Sequence, residues 1–261
     1  MSHRRIILGT LLGVAAVVSI PSAANAATCD YDSSARTMDV RYRAGEQAVT
    51  VANSNTLQYS DGASMWSCYD LDTSKPATGG TVNKLTIRAA SGTGAQAQKT
   101  TIDETHGEFT ESNPNLQMYV FTGTNDHLVL NKGGGDNRIQ VAEQSGLALG
   151  PEVDLNYDGR PDLRMTTSSS LVEVRAGSGR DLIDATRART FPTWQYGGPG
   201  NDTLFGSQSP GDLLEGEGEA DSLYSFDDNL GDVVRGGSGA DKGMFDYPVD
   251  SVSGVETVAY G

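Results

Sequence analysis

Aspartates at positions 202, 212, 221, 232 and 241 recur at gaps of 10, 9, 11 and 9 residues, so alternate members lie 19, 20 and 20 apart. A fixed step of this size means one structural unit stacked many times. Each unit is a glycine-rich turn ending in Asp, then a short apolar run. The apolar residue after each Asp (Leu182 or Ile183, Leu204, Leu214, Leu223, Val234) suits the inside of a thin core. Two units make one coil, with turns on both flanks. No long amphipathic stretch of helical period follows residue 26. The expected fold is therefore all-β: a parallel β-roll or β-solenoid over 121–261, best formed over 176–245, behind a β-rich N-terminal cap over 27–120.

The turn chemistry favours a cation. Glycine lets the backbone take positive φ and lets neighbouring backbones approach. Aspartate adds a carboxylate at the end of each turn, and calcium takes six to eight carboxylate and carbonyl oxygens. Residues 197–205 read Gly-Gly-Pro-Gly-Asn-Asp-Thr-Leu-Phe. This resembles the haemolysin-type, or RTX, nonapeptide Gly-Gly-x-Gly-x-Asp-x-(apolar)-x in full. Residues 176–184 depart from it only at Ala176, and 236–244 only at Gly243. In 216–224, Ala220 reads as an insertion before Asp221, while Asp212 and Asp232 keep only Gly-Asp-apolar. Looser copies lie around Asp126, Asp136, Asp162 and Asp181.

The resemblance implies calcium between stacked turns. Asp181, Asp202, Asp221 and Asp241 would line one flank, and Asp212 and Asp232 the other. Carbonyls of Gly177, Gly179, Gly197, Gly200, Gly216, Gly218, Gly236 and Gly239 would complete the set. The competing readings are a disordered Gly/Asp linker and a metal-free solenoid held by Asn and Thr ladders.

Asp154-Leu-Asn156-Tyr-Asp158-Gly-Arg-Pro-Asp162 is similar to the first nine positions of an EF-hand loop, but Met165 stands where its bidentate Glu belongs. Asp162 lies 19 residues before Asp181, which suggests a further coil turn. An Asn/Asp-rich turn without metal is the other reading. Secreted, actinobacterial-style calcium-binding proteins carry a comparable segment before their repeats, and the Cys29-Asp-Tyr-Asp start also resembles that group.

Arg4 and Arg5, the uncharged apolar run 6–20 and Ala24-Asn-Ala26 form an export signal, so 1–26 is expected to be removed. The formal charge of −15 disfavours nucleic acid and anionic membranes as partners, and no further apolar run is long enough to span a bilayer. Cys29 and Cys68 are the only cysteines, and an oxidising compartment favours a disulfide between them. Short β-favouring runs at 37–42, 48–52, 85–88, 100–103 and 116–121 read as strands, with loops at 92–94 and 112–115. Asp103, Glu104, His106 and Glu108 read as a solvated turn. No zinc-protease His motif or Gly-x-Ser-x-Gly elbow occurs. The expected function is a secreted, non-enzymatic calcium binder with a structural or interaction role. The alternative is an exported hydrolase with such a tail and an unrecognised site before it.

Overall fold

The computed structural model describes residues 27–42, 48–52, 56–60, 64–89, 99–109, 113–121, 126–145, 150–165, 171–229, 231–246 and 250–260. The export segment 1–26 and the 92–94 loop lie outside the described residues.

Among the described residues twenty-two strands are formed. The first nine are β1 (Thr28–Asp32), β2 (Thr37–Tyr42), β3 (Ala48–Ala52), β4 (Gln58–Ser60), β5 (Met65–Ser67), β6 (Lys84–Ala89), β7 (Lys99–Asp103), β8 (Gln117–Phe121) and β9 (His127–Asn131). Three more follow: β10 (Arg138–Glu143), β11 (Pro151–Asp154) and β12 (Leu163–Met165). Then come β13 (Leu171–Arg175), β14 (Leu182–Arg187), β15 (Thr193–Pro199), β16 (Thr203–Phe205), β17 (Leu213–Gly218), β18 (Ser222–Ser225), β19 (Val233–Ser238), β20 (Lys242–Phe245), β21 (Ser251–Ser253) and β22 (Thr257–Tyr260). Every run read as a strand in the sequence lies in one of them, except that Leu116, the first residue of the 116–121 run, directly precedes β8.

They build two sheets. One has twelve strands in the order β1-β2-β6-β8-β12-β11-β10-β14-β16-β18-β20-β22, and the other ten in the order β21-β19-β17-β15-β13-β9-β7-β3-β4-β5. From β13 onward the chain alternates between the sheets, and each strand pairs in parallel with the one two places later.

Alternation along each strand makes the core. In β2, Met38, Val40 and Tyr42 are buried while Arg41 is exposed. Register then stacks like on like. Val40 faces Ile87, and Ile87 faces Val120. At the other end Ile183, Leu204 and Leu223 form one inward row, and Leu214 and Val234 another. All five are fully buried. A single apolar cluster runs from Ala27 to Phe245. Side chains that keep one column through many rungs bury apolar area at every rung, worth about 25 cal/mol per Å².

Two sequence expectations change here. The 154–162 segment is not a coil turn. It links β11 to β12, an antiparallel hairpin placed in the twelve-stranded sheet between β10 and β8. The 19-residue spacing from Asp162 to Asp181 is therefore coincidental to the stack. The division near residue 120 also meets no break in either sheet, because β7 pairs with β9 and β8 with β12, both in parallel.

Cys29 and Cys68 are disulfide-bonded, with Cα atoms 5.9 Å apart. Cys29 lies on β1, the end strand of one sheet, and Cys68 directly follows β5, the end strand of the other. The bond clamps the two sheets together at their N-terminal end.

Candidate functional site

Six-residue turns carry the chain from the ten-stranded sheet to the twelve-stranded one at 132–137, 176–181, 197–202, 216–221 and 236–241. In the four upper turns the second and fourth residues take the left-handed conformation that glycine favours, as at Gly198 (φ 100°) and Gly200 (φ 145°) or Gly237 (φ 101°) and Gly239 (φ 153°), whereas in 132–137 only the fourth, Gly135 (φ 112°), does. Stacking makes the glycines necessary twice over. A β-carbon on Gly198 would run into the carbonyl of Gly177, and one on Gly200 into that of Gly179.

The turn at 216–221 has the same length as its neighbours. Register pairs Gly198 with Glu217 and Glu217 with Gly237. Ala220 is therefore no insertion. Instead Glu217 (φ 74°) and Glu219 (φ 70°) occupy the left-handed positions themselves, at a cost on the order of 1 kcal/mol each.

The sixth residues form a column inside the flank. Asp202 Oδ1 accepts the N–H of Asp181 at 2.8 Å, Asp221 Oδ1 that of Asp202 at 2.8 Å, and Asp241 Oδ1 that of Asp221 at 2.8 Å. Glu256 closes the upper end by accepting the N–H of Asp241 at 2.7 Å. At the lower end Asp181 Oδ1 accepts the N–H of Asn137 at 2.7 Å. Asn137, not its neighbour Asp136, thus holds the column position. Asp136 faces outward and accepts the N–H of Arg180.

The four aspartates are at most 2% exposed. Their second oxygens, Oδ2 of Asp181, Asp202, Asp221 and Asp241, are buried without a hydrogen-bond partner. In the three upper turns Oδ2 lies over the first residue, where a β-carbon on Gly197, Gly216 or Gly236 would collide with it. Burial, reinforced by the neighbouring carboxylates, pushes the Asp202 carboxyl up to about 7. Burial likewise lifts Asp221 to about 6 and raises Asp181. A buried carboxylate oxygen without a donor is costly, and the remedies are a proton or a cation.

The opposite flank is less uniform. Asp232 Oδ1 accepts the N–H groups of Gly211 and Asp212, both at 2.9 Å, and its Oδ2 has no partner. Burial pushes its carboxyl to about 7. Asp212 is satisfied from within. Its Oδ1 accepts from the Thr193 N–H and hydroxyl and from the Ser207 hydroxyl, and its Oδ2 from the Ser207 N–H. So Asp212 stacks below Asp232 as the spacing implies, but it serves as a turn cap.

In the 154–162 loop Asp154 gives both oxygens to backbone N–H groups: Oδ1 to Asn156 and Asp158, Oδ2 to Gly159. Asn156 Oδ1 also accepts from Asp158 N–H, and Asp162 Oδ2 from Leu155 N–H. These bonds account for the loop as a nest of Asx turns.

Among the described residues no three His, Cys, Asp or Glu side chains converge on a point able to hold a metal. A cation in the column would therefore take most of its oxygens from main-chain carbonyls, and the donor set would be purely hard oxygen. Gly218 is the third residue of its turn, and its carbonyl accepts the N–H of Gly200. The sequence reading missed Gly198, Glu217, Glu219 and Gly237, whose position signal is the positive φ rather than residue type. Glu104, read as solvated, is buried and paired with Lys132. No family model matches the chain, and neither does any curated protein or solved structure.

Proposed function

We propose that this is a calcium-binding protein that acts outside the cell, in which Ca2+ sits between successive turns of a parallel β-roll of the RTX kind. The Asp181–Asp202–Asp221–Asp241 column would hold most of the ions, and the Asp232 turn would serve the other flank. One observation carries the reading: four stacked carboxylates, each buried, each with one oxygen bonded to the next turn and the other left without a donor. Calcium suits carboxylates combined with carbonyls and tolerates irregular geometry. Magnesium demands a near-ideal octahedron and keeps its waters, while zinc prefers nitrogen and sulfur.

The role is read as structural or interactive rather than catalytic, because each carboxylate is buried within its turn and has one oxygen committed to a backbone N–H. Isothermal titration of the full chain with CaCl2 at pH 7.5 tests the reading. Saturable binding with a midpoint on the order of 10⁻⁴–10⁻³ M, usual for extracellular modules, is expected. Absence of binding up to 10 mM sinks it.

A further inference from the structure

The lower end of the column differs from the rest by one atom. Asn137 ends in an amide, and its Nδ2 donates toward Gly135 O at 2.8 Å, Ala176 O at 3.0 Å, Asp181 Oδ1 at 3.1 Å and Gly133 O at 3.4 Å. An amide carries two hydrogens. A nitrogen ringed by four oxygens therefore marks a cage shaped for positive charge, not a pair of matched hydrogen bonds.

The four oxygens have a fixed origin: the second and fourth residues of Asn137's own turn, the first residue of the next turn, and that turn's aspartate. Register carries the same set upward. Around Asp181 it is Gly177, Gly179, Gly197 and Asp202. Around Asp202 it is Gly198, Gly200, Gly216 and Asp221. Around Asp221 it is Glu217, Glu219, Gly236 and Asp241. In each of these gaps the central side chain brings an oxygen instead of a nitrogen, and that oxygen is buried and without a donor. Acceptors meeting an acceptor require a proton or a metal ion between them.

One gap below Asn137 the chain again supplies its own positive group. Lys132, the first residue of that turn, is 3% exposed. Its Nζ pairs with Glu104 Oε2 and lies 3.2 Å from Glu108 Oε1, both from the turn beneath.

We infer that the Asn137 amide and the Lys132 ammonium are covalent substitutes for the cation, so that ions load only from Asp181 upward and the ion stack on this flank has a fixed lower end. The inference rests on the calcium reading of the same column. It implies that replacing Asn137 by Asp opens one more site, because the cage of carbonyls is already built. It also implies that an Asn placed higher in the column closes one.

Equilibrium dialysis of the full-length protein against calcium, read as ions bound per chain at saturation, separates the cases. Asn137→Asp should bind one ion more than the native chain, with unchanged circular dichroism in saturating calcium. Asp202→Asn should bind one fewer and stay folded. A native chain that binds no calcium overturns the calcium reading and the inference with it. A native chain that binds, with a folded Asn137→Asp variant of unchanged ratio, overturns the inference alone. Should Asn137→Asp not fold, Asp202→Asn decides: one ion lost supports the substitution of amide for metal, and an unchanged ratio or loss of every ion refutes it.

Discussion

The N–H of Asp202 donates to Oδ1 of Asp221 across the gap between two turns, while Asp202 Oδ1 holds the N–H of Asp181 below. Each aspartate in the column thus belongs to two gaps at once. Its Oδ1 caps the turn beneath, its N–H donates to the carboxylate of the turn above, and its Oδ2 stays over the first residue of its own turn. Calcium sites placed in these gaps, as proposed, would share a residue, so loading one would order a ligand of the next.

Asp202→Ala should therefore disturb two neighbouring gaps. It removes a shared carboxylate and leaves the buried N–H of Asp181 without an acceptor, a loss of roughly 1–3 kcal/mol. Asp227 offers the control. It is partly buried, and among the described residues its carboxylate accepts from the N–H and side-chain amide of Asn229. Asp227→Ala should shift the calcium midpoint less than twofold, against tenfold or more for Asp202→Ala. Titration calorimetry giving equal shifts for both would contradict the register.

Two glycines with positive φ should respond differently to alanine. Gly211 (φ 93°) has open space where a β-carbon would go, whereas at Gly200 (φ 145°) it would strike the carbonyl of Gly179. Gly211→Ala should cost about 1 kcal/mol, the backbone term alone. Gly200→Ala should cost several times that and weaken calcium binding, because the stack must open. Urea denaturation in saturating calcium measures both.

The step of 19 to 20 residues made the upper coils readable, because Gly and Asp are placed there by the turn and the buried apolar residue by the strand. The same coil goes unseen in the first half. There the turn positions carry Glu104 and Lys132, which pair with each other, and Asn137, an amide bonded to the oxygens around it, and together they leave no motif. The 154–162 loop misled for the converse reason: Asp and Asn also build Asx turns, which need the same residues at short spacing. Glu217 and Glu219 hid the third good turn by accepting left-handed φ without glycine.

Protonation should compete with calcium. Burial lifts Asp202 and Asp232 to about 7 and Asp212 and Asp221 to about 6 in the folded, calcium-free state, against about 3.9 in an unfolded chain. Between those limits the folded state binds more protons, so these groups stabilise it most below about pH 4, and that contribution is lost as pH rises toward 7. Calcium requires the ionised form, and its affinity should rise over the same interval. Thermal melts in EDTA at pH 5 and pH 7.5 should show the higher midpoint at pH 5. In 5 mM calcium the order should reverse.

The Cys29–Cys68 bond spans 39 residues and ties together the N-terminal ends of both sheets. Loop-closure entropy puts its contribution at about 3–4 kcal/mol. A Cys29→Ser, Cys68→Ser double variant should melt lower while binding as many calcium ions as the native chain, since no column residue lies near it. A lost ion would show that the clamp reaches the turns.

Removing calcium should unfold the protein from its C-terminal end to a definite stopping point. Residues 197–261 carry 13 acids against Arg235 and Lys242. Without cations the stacked turns hold like charges close together, at about 1 kcal/mol per pair in water and more when buried. Few apolar side chains oppose this, because each upper coil contributes only residues such as Leu204, Leu214, Leu223 and Val234 to the core. Lower down the balance changes, since Asn137 and Lys132 fill their gaps with groups that EDTA cannot remove, and the disulfide closes the far end. Hydrogen exchange in EDTA at pH 7.5 should therefore show fast amides over 197–260 and retained protection over 28–42, 84–89 and 127–141, with the boundary between Asn137 and Asp202. Calcium should restore protection to the upper segment. Equal protection of both segments in EDTA would mean that the column is stable without a cation, and uniform loss would mean that the Asn137 and Lys132 gaps depend on metal as much as the others do.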